Sequence, residues 1–291
     1  MPIDRDAFVK SHALGNDYIV VDPAHLSFPL TPETIRTICH RNFGVGSDGI
    51  LALGRGAGAD FGLRIFNPDG SEAEKSGNGL RIFAKFLHDH GYARSASFTV
   101  DTPGGLVRAN LDVAEGRVGT ITVDMGDATF RSDRIPVAGP VREVVDETLE
   151  VGGERLTFTA VSVGNPHCVV LVDTLEEERI RRLGPAIETH SLFPNRINVQ
   201  FARVVSRTEV AILIWERGAG YTLASGSSSC AVAAACVRHA LTDRDLRITM
   251  PGGVLRVSVA EDWSLRMAGP ASEVASGRFS ADLVAQFAGR V

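Results

Sequence analysis

The feature that most constrains what this chain can fold into is a repeat of its own landmarks. Gly15-Asn16 in "LGNDYIVVD" recurs as Gly164-Asn165 in "VGNPHCVVLVD", 149 residues on. The runs "RIFN" and "LIWE", ending at Asn67 and Glu216, keep that spacing, as do Ser76-Gly77 in "KSGNGLRIFA" and Ser225-Gly226 in "ASGSSSCAVA". "TPGGLVR" and "MPGGVLR" place Pro103 and Pro251 148 residues apart. Four short matches in one order at nearly one spacing mark a duplicated unit of roughly 145 residues. The fold must be one that can be built twice.

Each copy passes through the same changes of period. "YIVVD" and "CVVLVD" are β-branched runs suited to buried strands, and "LRIFN" and "AILIWE" are further strands. A loop then leads into a helix that begins at Ser-Gly: "GLRIFAKFLHDHG", closed by Gly91, and "SSCAVAAACVRHA". "SFTVDTPGGLVRANLDV" and "LRITMPGGVLRVSVA" follow as strand, Pro-Gly-Gly turn and strand. The expectation is an α+β fold of two pseudo-symmetric lobes, each with a central helix wrapped by a curved mixed sheet. The lobes divide as 1–126 and 127–291, with the last ~15 residues available to pack back on the N-terminal lobe. Segment 131–147, rich in charge and proline, is expected to link the copies. Segment 174–194 is expected to form a charged surface helix and then a second short one.

Composition narrows the partners. The 291 residues are 44% hydrophobic and 22% charged, enough to bury a core without covalent staples. Net charge is −5 with no run of Lys or Arg, which argues against nucleic acid and anionic membranes and for a small molecule. The N-terminus lacks a secretory layout and no apolar run reaches the ~18 residues of a membrane span, so a soluble cytoplasmic protein is expected. Cys39, Cys168, Cys230 and Cys236 form no CxxC pair and no Cys/His ligand spacing, so neither disulfides nor a metal site is expected. "GRGAG" near residues 54–58 lacks the lysine and strand-to-helix placement of a phosphate loop and is expected to be a turn.

The two Ser-Gly helix mouths carry the chemistry. A helix N-terminus offers unpaired N–H groups and about half a positive charge, which suits an anion, and glycine lets that anion approach the backbone. Two such ends meeting one carboxylate would set one side chain on each side of the attached carbon. That suits removal of an α-proton by a base and its return by an acid, with the developing charge held by fixed donors. A cysteine is the residue expected for this work, because a helix N-terminus lowers a thiol's pKa. Serine stands at both mouths, and serine is also among the best N-caps, so Ser76 and Ser225 taken alone are caps, site walls or reacting groups.

The stretches "LGNDYIVVD", "GVGSDGIL", "FNPDGSEAEKSGNGLR", "VGNPHCVV", "RINVQF" and "ERGAGYTLASGSSSCAVAAA" together resemble the diaminopimelate epimerase family along almost the whole chain. The resemblance implies a two-base amino-acid epimerase or racemase that uses no pyridoxal phosphate and forms homodimers. It puts Ser76 and Ser225 where the family has its two catalytic cysteines, and His167 and Glu216 where residues assist proton movement. Gly77, Asn78, Gly226 and Ser227 match the groups that hold the reacting carboxylate and amine. Asn16, Asn67, Asn165, Asn198, Glu216 and Arg217 match positions that grip the substrate's distal end. Tyr221 and "SGSSS" depart from the usual glutamate and threonine-glycine run. Cys230 lies about 7 Å further along its helix at 1.5 Å per residue, and Cys168 follows His167 on a strand and points to the other face, so neither replaces the missing thiols. Either a natural serine branch or replacement of a cysteine pair accounts for the serines. Beside epimerisation stand a one-base isomerase or tautomerase of the same fold, with His167 or Glu216 as base, and an amino-acid-binding homologue that has lost the chemistry.

Overall fold

A computed structural model describes residues 3–288. Among them, one compact unit comprises the chain up to Val123 together with the segment from Gly269 onward, and the other comprises Asp124–Ala268. The last three residues of the C-terminal stretch expected to pack back, 289–291, lie outside the described residues.

In the first unit, Ala7–Ala13 turns through Leu14 and Gly15, both at positive φ, into the antiparallel strand Asn16–Val21. Two consecutive left-handed residues are what a tight two-residue hairpin requires. Asn16–Val21 then pairs in parallel with Ile50–Gly54, and that strand pairs antiparallel with Phe61–Phe66. Phe61–Phe66 runs parallel to Ser97–Thr102, which turns at the Pro-Gly-Gly segment into Gly105–Ala114. Ser272–Arg278 returns to pair with Ala7–Ala13.

The second unit repeats this pairing step for step. Glu154–Ser162 pairs with Pro166–Leu171, which runs parallel to Asn198–Ser206; Glu209–Glu216, Asp245–Met250 and Gly253–Val259 complete the series. The duplication holds at the level of register: Ile19 faces Ile50 where Cys168 faces Val199, and Leu51 faces Ile65 where Gln200 faces Ile214. Mixed α+β architecture with a repeated unit is therefore what the chain adopts.

Each unit sets one helix of the repeated Ser-Gly type against its strands. The helix Gly77–Asp89 packs on Ala7–Ala13, Asn16–Val21 and Gly105–Ala114, and Gly226–Arg238 packs on the equivalent strands. From Ser228 to Cys236 the second helix is buried on every face, as expected of a helix that is apolar or small all round. Gly91 closes the first helix at φ 71° with its N–H on the His88 carbonyl.

Two sequence expectations need correction. Segment 131–147 is not a bare linker: Ile135, Val137 and Val144 are buried in the second unit's core beside Leu149, Phe158 and Phe193. Its prolines and charges break the periodicity that would have disclosed them. Segment 174–194 makes one helix, Glu177–Glu188, with Pro185 inside it, and turns rather than a second helix follow. Gly184 lets this helix lie against Trp215, since a Cβ there would sit 2.6 Å from the indole Cγ.

Candidate active site

The two helix mouths are built alike. Ser76 has extended backbone (φ −141°, ψ 117°), and its Oγ accepts the Gly79 N–H at 3.0 Å. Ser225 repeats the geometry (φ −145°, ψ 125°), and its Oγ accepts the Ser228 N–H at 3.4 Å. Each serine thus satisfies the N–H of the third helical residue. The N–H groups of Gly77 and Asn78, and of Gly226 and Ser227, belong to the first two residues of their helices, ahead of the first N–H that an i−4 carbonyl inside the helix can meet. Ser225 is 4% exposed and Ser76 half-buried.

Each Pro-Gly-Gly turn buttresses its mouth. The Gly104 N–H meets the Glu74 carbonyl at 2.9 Å and the Gly252 N–H meets the Leu223 carbonyl at 2.8 Å, in each copy two residues before the mouth serine. A Cβ at Gly104 would come to 3.0 Å from that same carbonyl oxygen. The turns had shown in sequence only as hairpins.

Behind the first mouth stands a charged network. Asn78 donates through Nδ2 to Asn16 Oδ1 at 3.0 Å, and Asn16 donates through its own Nδ2 to Asp48 Oδ2 at 2.9 Å. Asp48 also takes the Asp17 N–H and the Arg41 guanidinium. Burial opposes ionisation of Asp17, yet Arg41 and Lys10 together hold its carboxyl below the usual range. Arg81, fully buried, donates to the Gly77 carbonyl, to Asn78 Oδ1 and to the Pro270 carbonyl. The Tyr18 hydroxyl lies 3.3 Å from Ser76 Oγ. Gly49 makes room for that ring, for a Cβ there would stand 2.8 Å from Tyr18 Cε1. Asn67 lies in the turn after Phe61–Phe66, donating to Ser71 Oγ at 3.0 Å.

Behind the second mouth the network is neutral. Asn165 donates through Nδ2 to Ser227 Oγ at 3.4 Å, and its Oδ1 lies 2.9 Å from His167 Nε2. His167 Nδ1 lies 3.1 Å from Gln200 Nε2, which also donates to Ser228 Oγ at 3.0 Å. Burial first, and the charge of Arg217 second, push the fully buried imidazole down to about 3, so it is uncharged at neutral pH. Asn198 ties two segments together, donating to the Pro166 carbonyl and accepting the Arg217 N–H. Arg217 itself is exposed and reaches the Asn195 carbonyl, and Glu216 is half-buried at the end of its strand. The turn that carries Arg217 is held by buried Glu188, which accepts from Trp215 Nε1, the Gly218 N–H and Arg196. Tyr221 turns away to Glu177, with Arg181 over its ring.

Tyr18, Asp48, Arg81, Glu188 and Gln200 went unnoticed in sequence. The 149-residue offset pairs Tyr18 with His167 and Leu51 with Gln200, and that pairing is the signal by which two of them are found. All four cysteines are buried, and burial pushes the Cys168 thiol up and takes Cys236 up to about 12. Among the described residues no cluster of His, Cys, Asp or Glu is arranged to hold a metal ion, and no helix is long and apolar enough to cross a membrane.

This fold, with a capped helix mouth in each of two repeated units, is that of solved racemase and isomerase structures. A hydroxyproline epimerase from Agrobacterium vitis superposes with a TM-score of 0.70 at 15% identity, over 95% of this chain and 92% of that one. A methylitaconate-delta-isomerase superposes with a TM-score of 0.64 at 14% identity, over 94% and 95%. Sequence narrows the class to one family. The family model described as diaminopimelate epimerase matches residues 8–131 and 159–274. Diaminopimelate epimerase 2 of Nostoc sp. is 50% identical over 96% of this chain and 97% of its own, and a diaminopimelate epimerase of Methanothermobacter thermautotrophicus is 45% identical over 88% and 91%. The chain belongs to the diaminopimelate epimerase family, whose members are isomerases.

Proposed function

We propose that this protein inverts the α-carbon of diaminopimelate without pyridoxal phosphate, interconverting the LL and meso forms, with one proton-transfer group from each unit. The observation that carries the reading is the like construction of the two mouths: an extended N-cap serine, a glycine, and a second helical residue tied to an asparagine at a strand's beginning. In this reading the N–H groups of Gly77, Asn78, Gly226 and Ser227 hold the reacting carboxylate and amine, where helix-end donors meet an anion. Ser76 and Ser225 exchange the proton. Asn16, Asn67, Asn165, Asn198, Glu216 and Arg217 are the residues assigned to the substrate's distal end, some by contact and some, like Asn198, by fixing the backbone. Glu216 assists proton movement directly, and His167 acts through Asn165 because both of its ring nitrogens are engaged.

Serine makes this a slow catalyst. An unperturbed thiol is about 3% ionised at pH 7, whereas a hydroxyl is ionised to a negligible degree and depends on its neighbours to accept a proton. The working form is a cytoplasmic homodimer, as the family resemblance implies.

The test is incubation with each diaminopimelate stereoisomer in deuterated water. Deuterium at the α-carbon with inversion is expected. Exchange without inversion would replace the reading by one-base chemistry, and binding with no exchange would leave an amino-acid-binding protein.

A further inference from the structure

Gln200 lies on the strand Asn198–Ser206, fully buried, and belongs to none of the groups that hold substrate in the proposed function. Its amide nitrogen meets two oxygen or nitrogen acceptors, His167 Nδ1 and Ser228 Oγ, while its Oε1 is buried with no hydrogen-bond partner. A buried amide that leaves its oxygen unpaired bears a cost, which its nitrogen's contacts offset.

A neutral imidazole has one donor and one acceptor nitrogen, and whichever partner faces one nitrogen decides the other. With an amide N–H aimed at Nδ1, that atom must accept, and the ring proton sits on Nε2. Nε2–H then donates to Asn165 Oδ1, which leaves Asn165 only its Nδ2 to offer Ser227. Ser227 Oγ in turn stands 3.5 Å from Ser225 Oγ. At the first mouth the equivalent asparagine is oriented the other way, because the Asp48 carboxylate claims the Asn16 Nδ2 and leaves Oδ1 for Asn78.

We propose that Gln200 is a positioning residue: it fixes His167 as the Nε2–H tautomer, and through it turns the Asn165 amide N–H toward the second helix mouth. The role in catalysis rests on the proposed epimerase function; the tautomer does not. The first copy has Leu51 at the equivalent place and no imidazole, so this wiring belongs to the second mouth alone.

Nitrogen-15 spectra of the full chain with labelled histidine read the tautomer directly, the His167 signals being assigned by their loss in His167→Gln. The expected wild-type result at pH 7 is Nε2 protonated and Nδ1 bare; Nδ1–H, or an imidazolium, would overturn the proposal even if Gln200→Glu fails to fold. In Gln200→Glu the acceptor-only carboxylate is expected to draw a proton to Nδ1, with kcat falling more than KM rises. An unchanged bare Nδ1 in that variant would also overturn it. Absence of α-hydrogen exchange in a wild type that shows the Nε2–H form would remove the proposed function and leave the tautomer assignment standing.

Discussion

The first and second helix mouths share a backbone and differ in everything that stands behind it. Both have a capping serine, a glycine and an asparagine reaching over from the turn of a strand hairpin. The asparagines face opposite ways. A carboxylate orients Asn16, whereas the N–H of an imidazole orients Asn165. The first mouth rests on ions, Asp48, Asp17, Arg41, Lys10 and the buried Arg81; the second rests on Gln200, His167 and hydroxyls. Duplication preserved the strand register and the caps and let the electrostatics diverge. An enzyme that must remove a proton on one side and deliver it on the other gains from such a difference.

Among substitutions at neutral pH, the largest expected effect on stability comes from Arg81. Arg81→Met removes a buried cation and its donations to the Gly77 and Pro270 carbonyls and to Asn78 Oδ1, a loss on the order of 3 kcal/mol. Cys230→Ala at the equivalent position of the second helix is expected to cost about 1 kcal/mol. Denaturant midpoints at constant slope measure both, and equal losses would break the contrast between a charged and a neutral mouth.

A further effect on stability is read from pH. His167 titrates near 3 in the folded chain because burial and Arg217 disfavour its charge, against about 6.5 in the unfolded chain. The unfolded state therefore takes up a proton that the folded state refuses between these values. Stability falls as pH drops from about 6.5 toward 3, by on the order of 1.4 kcal/mol per pH unit from this group. His167→Gln is expected to lose that share of the slope, and an unchanged slope would show that the imidazole is not held neutral.

Much of the candidate site was legible from the repeat. Ser76, Ser225, Asn16 and Asn165 announce themselves because they recur at one spacing, and the caps followed from residue type alone. Arg81 was not legible, since a basic residue in "GLRIFAKFL" is ordinarily a solvated one and only the packing of its helix shows it buried. Gln200 alternates with Val199 and Phe201 as an outward-facing residue of a half-buried strand would, and only its burial shows that it faces inward. Asn198 carried a substrate-gripping expectation, and its bonds to Pro166 and Arg217 give it a backbone-fixing place that no spacing discloses. In the fold, the repeated strands, helices and Pro-Gly-Gly hairpins followed from period and turns, whereas Ile135, Val137 and Val144 were masked by the prolines and charges around them.

The most direct measurement restores one thiol at a time. Ser76→Cys and Ser225→Cys are each incubated with LL- and meso-diaminopimelate in deuterated water, and α-hydrogen exchange is timed against wild type. If each mouth serves one face of the carbon, each variant will speed proton release from one α-configuration and not the other, by about a hundredfold, the scale of a positioned acid or base. Equal acceleration of both configurations by either variant, or none by both, would contradict the account.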